Sequence, residues 1–499
     1  MSKYRIKINS LILSLVLLKI FLIDFHLTNI PELQIYNNQT IKLLIPPKRC
    51  NFPKRKTLYL FSEFRNNSND LLKKYKIIEY KNKGNSLVTY YIDDKEYNQY
   101  KNLLFSQGII NSASIFGDHN FYFSNNVINL IKYNKSLIEL NNFKKFHLFI
   151  NYEVFTKDSL YMNFLEMKNK FENDYNFMPL TYNYPIDKDI IEKKFKNYTL
   201  DKYNLWLIKP KNKWGGNGIK FLESLKQIKE DEFLITKYIS NLDLINNKKY
   251  DLRLYVLITG LKPLRIYFYR EGLVRIAAKN YTLEENSIHN RFVYLTNIGV
   301  NSQSKDFIVP NLTNIENANV WNLETYSNHL KKINIDYIKI RNKIKDIIIK
   351  TMISVYKNLT IEQSKNNLND INYYDVLGYD FIIQDNYDPI LLEINKNPSK
   401  KYANDLDKNI KTNLIVDTLN LVGISIFSKN IICKNIFKSK KLNADDYVNN
   451  ALCELERPLG DYELIFPLKT NIIFLNFLFI IFSLIILLLS VLFVILLCL

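Results

Sequence analysis

An α+β fold is predicted by three features of this 499-residue chain. β-rich runs and amphipathic helical runs are mixed, without the steady alternation of a doubly wound sheet. Residues 378–395, GYDFIIQDNYDPILLEIN, read as a β-hairpin whose turn-formers Asp385, Asn386, Asp388 and Pro389 separate two β-rich runs. Residues 340–356 read as a helix with Ile340, Ile344, Ile347, Ile348, Met352 and Val355 along one face.

The composition supports real cores, with 47% hydrophobic residues, so the chain is not disordered as a whole, and its length suits two or three domains. A net charge of +19 points to an acidic partner. A codon bias toward Asn, Lys, Ile and Tyr would give the same charge without selection for a basic surface. No basic stripe with stacking aromatics stands out from that Lys/Tyr background, which argues against nucleic acid. Cys50, Cys433, Cys453 and Cys498 lie far apart with no metal-ligand spacing, so reduced thiols are expected.

In chain order, residues 1–29 carry Lys3, Arg5 and Lys7 before an apolar run, like a signal peptide, a signal anchor or a buried element. Residues 30–145 alternate short β-rich runs with Asn/Lys loops and are expected to form a small N-terminal domain. Thr156 is the expected cap of a helix over 158–171, with Leu160, Phe164, Leu165, Met167 and Phe171 at helical spacing. Residues 205–209 read as a strand entering the glycine-bearing loop PKNKWGGNG. Further strands are expected over 233–239, 252–258 and 264–269. A second long helix is expected over 405–422, carrying Ile410, Leu414, Ile415, Leu419 and Val422. Residues 426–468 are expected to be a basic linker. Residues 472–499 are almost wholly apolar and uncharged, which predicts a transmembrane helix. Lys469 before it leaves the large N-terminal portion facing the cytosol.

Three constellations carry chemistry. With the hairpin turn centred between Asn386 and Tyr387, Asp380 falls opposite Glu393, and Asn395 shares the face of Glu393. Facing carboxylates repel unless a cation lies between them, so this trio resembles a Mg²⁺-nucleotide site. In the loop, Gly215, Gly216 and Gly218 allow backbone N–H groups to approach phosphates, and Lys209 supplies a point charge. In KKYDLRLYVL, strand periodicity puts Lys249, Asp251 and Arg253 on one face, followed downstream by Arg275. Each has a bland reading as solvated sheet or turn; their recurrence within one block of about 190 residues weakens that reading.

The blocks TKDSLYMNFLEMKNKFENDYNFMPLTYNYP, WLIKPKNKWGGNGI, ITKYISNLDLINNKKYDLRLYVLITGLKPLRIYFYREGLVR, YLTNIGVN, YDVLGYDFIIQDNYDPILLEINKNPS and LDKNIKTNLIVDTLNLVG resemble, in this order, the tubulin tyrosine ligase-like family. The resemblance covers residues 146–425. It implies an ATP-grasp fold, two lobes clamping Mg-ATP, preceded by a small N-terminal α/β domain. It further implies ATP-dependent ligation of an amino acid to a tubulin carboxylate through an acyl phosphate, with ATP and Mg²⁺ as cofactors. By the same resemblance Asp380, Glu393 and Asn395 match the metal ligands. Lys157, Lys209, Gly215, Gly216, Thr236, Lys237, Tyr238, Ile239, Lys249, Tyr250, Asp251, Thr296 and Asn297 match the ATP site, with the Lys237 side chain at the adenine. Arg253 and Arg275 match catalytic cations, and Arg275 with Lys411 matches the grip on the added amino acid.

Thr236, Thr156 and Tyr294 depart from the glutamine, arginine and histidine usual in those blocks, and Ile298 stands where glutamylating members tend to have an aromatic. The implied activity is glutamate addition to acidic tubulin tails, on microtubules or in cilia, by a membrane-tethered enzyme that takes free glutamate. Tyrosine or glycine addition is the alternative, and a non-catalytic microtubule-binding adaptor is the rival of another class.

Overall fold

A computed structural model describes residues 40–45, 57–65, 77–81, 89–92, 98–111, 121–123, 144–146 and 152–467, apart from breaks at 201–203, 212, 214, 228–231, 312–313, 366–370, 372 and 425–443. The chain forms two units that are discontinuous in sequence. One comprises Met1–Ile150, Gln363–Asp375 and Ser399–Gly460; the other comprises Asn151–Glu362, Val376–Pro398 and Asp461–Leu499.

In the first unit, β1 (Thr40–Leu44) runs antiparallel between β2 (Thr57–Leu58) and β3 (Ile77–Lys81). β4 (Thr89–Ile92), β5 (Ile110–Asn111), β6 (Phe121–Phe123) and β7 (Lys144–Phe146) form a parallel ladder in the order β5-β4-β6-β7. Parallel neighbours need a crossover, and the Asn98–Ser106 helix supplies the one from β4 to β5. The Asp405–Val422 helix forms as expected and is buried almost all round. Its N-terminus is capped by the Asn404 side chain, and Arg457 donates to the carbonyls of Leu421 and Val422 at its other end. Asp417 on this helix takes a two-pronged pair from Arg65, which meets its carboxylate through both terminal nitrogens.

Cys453, on the Ala444–Leu455 helix, is disulfide-bonded, which corrects the expectation of reduced thiols. Its three candidate partners Cys50, Cys433 and Cys498 lie outside the described residues.

The second unit holds two antiparallel sheets. β8 (Thr181–Tyr184), β9 (Trp206–Pro210), β10 (Lys220–Phe221) and β11 (Phe233–Lys237) form the smaller, in the order β10-β9-β11-β8. The register Leu207↔Thr236 and Lys209↔Leu234 places these four on one face. Trp206, Ile208, Phe233 and Ile235 line the other, packed with Ile191 and Phe195 of the Lys188–Phe195 helix.

The larger sheet contains β12 (Leu244–Ile245), β13 (Lys248–Leu261), β14 (Leu264–Ile276), β15 (Val320–Asn322), β16 (Tyr373–Ile383), β17 (Pro389–Asn395) and β18 (Tyr462–Phe466). Its spine runs β15-β14-β13-β16, with β17 on β16, β12 on β13 and β18 on β14. β16 and β17 are the expected hairpin. The Tyr337–Lys365 helix extends the expected one at both ends and buries Ile340, Ile344, Ile348, Met352 and Val355, as its periodicity requires. Thr351 Oγ1 on this helix lies 3.1 Å from the Tyr379 hydroxyl of β16, tying helix to hairpin. β18 is fixed twice over: Tyr462 packs on Tyr269 at 4.9 Å, and Glu463 is clasped by Arg341 and Lys345 of the same helix.

The α+β architecture stands, but the expected C-terminal transmembrane helix does not. Among the described residues no helix is long and apolar enough to cross a membrane. Residues 472–499 lie outside the described residues, as do residues 1–29. Within the expected linker, residues 444–455 form a helix and 462–466 a strand.

Met352 is fully buried at the middle of the long helix. Met352→Ala is expected to lower unfolding free energy by about 2–5 kcal/mol in denaturant titration; a change within experimental error would show that this helix face is not core.

Candidate active site

The hairpin brings its donors together by a route that differs from a plain ladder. Ile382 faces Ile390 and Phe381 faces Leu391, a register centred on Asn386, yet Asp380 faces Glu393 because Leu392 is an extra residue in β17. Such a bulge turns two successive side chains toward the same side. Ile382, Ile390 and Leu392 therefore form an apolar half, covered by Leu242 and flanked by Ile239, next to a polar half of Asp380, Glu393 and Asn395. The turn is built by Asn386, whose side chain accepts from the Asp388 N–H at 3.0 Å, and by Tyr387 in the left-handed region.

Asp380 is the charge centre. Arg253 on β13 meets it through Nε and, at 2.8 Å, through a terminal nitrogen. Arg275 on β14 reaches the same carboxylate at 3.1 Å while holding Asp251 with two bonds of 2.6 and 2.7 Å. Thr296 Oγ1 donates to Asp251 as well. Asp251, Arg275, Thr296 and Asp380 are all buried. Burial alone would favour neutral Asp380, but the two guanidinium groups outweigh it and hold the carboxyl far below the ordinary range. Glu393 moves the other way, raised by burial and then by the negative charge of Asp380. Asn395 Nδ2 donates to both carboxylates, at 3.3 and 3.2 Å.

These three donors fit a divalent cation. Two buried carboxylates in repulsion, with an amide between them that can present oxygen after a half-turn, are the partial set that Mg²⁺ takes when phosphates and water complete its octahedron. Among the described residues no group of three or more His, Cys, Asp or Glu side chains could hold a metal unaided.

Three lysines supply positive charge. Burial pushes Lys209 down to about 8, with Lys157 adding to the effect and Glu393 opposing it. Lys249 is lowered further, to about 7, by burial, against Asp251 and with Lys209. Its ammonium lies 4.6 Å from the Tyr238 ring centre and donates to the Tyr238 hydroxyl at 3.2 Å. Lys157, also lowered by burial, donates to the Lys213 carbonyl of the glycine loop at 2.7 Å. In that loop Gly216 has φ +80°, and a Cβ there would stand 2.7 Å from Asn297 Oδ1, so glycine is required where loop and Asn297 meet. The Gly215 backbone is likewise left-handed, at φ +66°.

Other expected residues have partners of their own. Tyr250 projects to the opposite side of β13, bonded to Asp243 at 2.6 Å and Tyr326 at 2.8 Å. Lys237 shares the face of Trp206, 5.2 Å from its ring, and donates to Asn204, so its ammonium lies on the far side of the small sheet from Lys209 and only its backbone faces the nearer side. The Thr236 hydroxyl accepts from Thr181 Oγ1 at 3.2 Å. Lys411 belongs to the first unit, where its ammonium is held by Asp407 and the Lys401 carbonyl. Tyr294 packs on Phe221 at 4.9 Å within an apolar cluster with Leu207, Tyr238 and Leu295. Sequence reading missed Leu392, which strict alternation assigns to the other face.

The sequence profile of the tubulin-tyrosine ligase family matches residues 137–431, more than half of the chain. The chain belongs to that family. Among relatives, human tubulin monoglutamylase TTLL4 is 30% identical over 275 residues, covering 55% of this chain and 23% of that protein. Caenorhabditis elegans tubulin polyglutamylase ttll-4 is 31% identical over 271 residues, 54% of this chain and 44% of that protein. Mouse tubulin polyglutamylase TTLL5 is 32% identical over 276 residues, 55% of this chain and 20% of that protein. The matched stretch thus spans less than half the length of each relative.

Two measurements check the site. Phosphates favour the charged lysines, whereas Lys249 and Lys209 in the empty site lose their protons near pH 7 and 8. ATP binding at pH 8 should therefore take up between about one and two protons, and affinity should fall by at least about a hundredfold from pH 7 to 9. Calorimetry in buffers of different ionisation enthalpy reads this, and zero uptake would contradict the assignment. Tyr250→Phe should cost about 1–3 kcal/mol of stability by stripping Asp243 and Tyr326 of a partner, with nucleotide affinity unchanged; a selective loss of affinity would return Tyr250 to the site.

Proposed function

We propose that this protein is an ATP-dependent ligase that adds an amino acid, glutamate by preference, to side-chain carboxylates of acidic tubulin tails. The observation that carries this reading is the convergence of Asp380, Glu393 and Asn395 with Arg253 in a chain of the tubulin-tyrosine ligase family. Glutamate is favoured because the relatives described above are named tubulin monoglutamylase or polyglutamylase.

A carboxylate is a poor electrophile, so the reaction runs in two steps. An acceptor carboxylate oxygen takes the γ-phosphoryl group, the bond to the β-phosphate oxygen breaks, and ADP leaves. The α-amine of the incoming amino acid then attacks the acyl carbon, its bond to the phosphate oxygen breaks, and inorganic phosphate and one proton are released. Negative charge grows on transferring oxygens in both steps, and fixed cations in a poorly hydrated site stabilise it without reorganisation. Lys209 and Arg253 are proposed for that role, with Lys157 and the Gly215–Gly216 backbone steadying the phosphates. Bound Mg²⁺, held by Asp380, Glu393 and Asn395, would neutralise phosphate charge and orient the chain.

Ile239, Leu392 and the backbone of Thr236 to Ile239 suit the flat apolar base, Asp251 with Lys249 suits the ribose, and Thr296 with Asn297 suits the phosphates. Arg275 is proposed to meet the carboxylate of the added amino acid. The +19 net charge suits acidic tails and microtubule association, and encounter should slow as salt rises.

The full chain incubated with Mg-ATP, microtubules and labelled glutamate should incorporate label, and Glu393→Gln should lower the rate by at least about 100-fold while microtubule binding persists. Incorporation of tyrosine or glycine in place of glutamate would overturn the amino-acid assignment. Absence of any incorporation, with Glu393→Gln indistinguishable from the parent, would overturn the ligase.

A further inference from the structure

Among the described residues, Asn301 is one of several fully buried polar side chains that the mechanism leaves unused. It has no exposed surface, and its amide spans three backbone groups from two separate segments. Nδ2 donates to the Leu295 carbonyl at 2.8 Å and to the Asn297 carbonyl at 3.2 Å, while Oδ1 accepts from the Ala278 N–H at 2.8 Å. The two carbonyls bracket Thr296 and open onto Asn297. Ala278 leaves the end of β14 three residues after Arg275, and its neighbour Ala277 donates to the Lys249 carbonyl at 2.8 Å. One amide thus ties the Thr296–Asn297 turn to the strand ends that carry Arg275, Lys249 and Asp251.

We infer that Asn301 is a positioning residue for phosphate recognition: it sets Thr296 against Asp251 and Asn297 against the Gly216 loop, without itself touching ligand. The inference rests on the nucleotide reading of this site. Geometry makes the role specific. Thr296 reaches Asp251 with its hydroxyl, and the Asn297 side chain meets the loop where a Cβ on Gly216 would fall 2.7 Å from its oxygen. A turn displaced by one ångström would lose both contacts at once, since hydrogen bonds weaken steeply outside their narrow range. The Ile298–Asn301 helix beneath the turn is a single turn, too short to hold its own N-terminus rigid.

Asn319 is a matched control. It is equally hidden, and its amide donates to the carbonyls of Ile276 and Ala277 at 3.3 and 2.8 Å and accepts from the Ile308 N–H at 2.8 Å. It therefore braces the same strand exit but does not reach the Thr296–Asn297 turn.

The test compares Mg-ATP with adenosine, which lacks phosphates, as calorimetric ligands for the full chain, alongside thermal unfolding. Asn301→Ala should weaken Mg-ATP about tenfold, as loss of one or two aligned polar contacts predicts, with adenosine affinity unchanged. Asn319→Ala should lower the melting temperature comparably and leave the ratio of the two affinities as in the parent. The double variant Asn301→Ala/Asn297→Ala should bind Mg-ATP no worse than Asn301→Ala, since both act through one turn. Equal losses for both ligands, an Asn319→Ala variant that shifts the ratio as far as Asn301→Ala does, or additive losses in the double variant would overturn the role. Should the Asn301 variant not fold, Asn301→Ser, which retains a short donor, takes its place under the same criteria. A parent chain that ignores Mg-ATP would instead sink the nucleotide reading itself.

Discussion

A single carboxylate shared between two arginines orders the site. Asp380 receives Arg253 and Arg275 from adjacent strands, and Arg275 in turn holds Asp251, so three strands are locked in lateral register by one alternating row of charge. Burying four charges is costly, and such a row is weak evidence for stability, because apolar residues of similar volume often do as well. What the row supplies is position. Each guanidinium fixes a carboxylate in direction as well as distance, since its fork admits few arrangements. Asp380 consequently stays ionised, whereas Glu393 opposite it is pushed toward the neutral acid. A cation bound between the two would favour the ionised form of Glu393.

Much of this was legible in the sequence, for reasons that differ by element. The long helix announced itself because Ile340, Ile344, Ile348, Met352 and Val355 repeat at helical spacing, and the structure buries each of them. The facing of Asp380 and Glu393 was read correctly from a turn placed half a residue away from where it lies. The bulge at Leu392 compensates for that offset, which is why the pair was right although the turn was misplaced. Nothing in the letters ILLEIN marks a bulge; it is decided by which side chains the neighbouring Leu242 and Ile239 can cover.

For other residues, family resemblance speaks of positions, not of where side chains turn. Tyr250 and Lys237 follow residues in the matching blocks, but strand periodicity aims each at the side opposite to Lys249 or Lys209. The reduced state of Cys453 was inferred from spacing, which says nothing about bonds between distant segments. The apolar terminal run lies outside the described residues, and among those no helix is long and apolar enough to cross a membrane. The chain's membership in the tubulin-tyrosine ligase family, by contrast, rests on ordered blocks spread over 137–431 and on no single one of these residues.

The last described strand has a bearing on how the molecule can be handled. β18 covers the β14 edge from Ile266 to Tyr269 and is riveted through Glu463 to the long helix. Trimming the polypeptide ahead of Asp461 would bare a row of main-chain donors and acceptors beside Tyr267 and Tyr269, an adhesive border that invites stacking between molecules. Anyone shortening the protein for solubility by removing its greasy tail should cut after Pro467 rather than before the rivet.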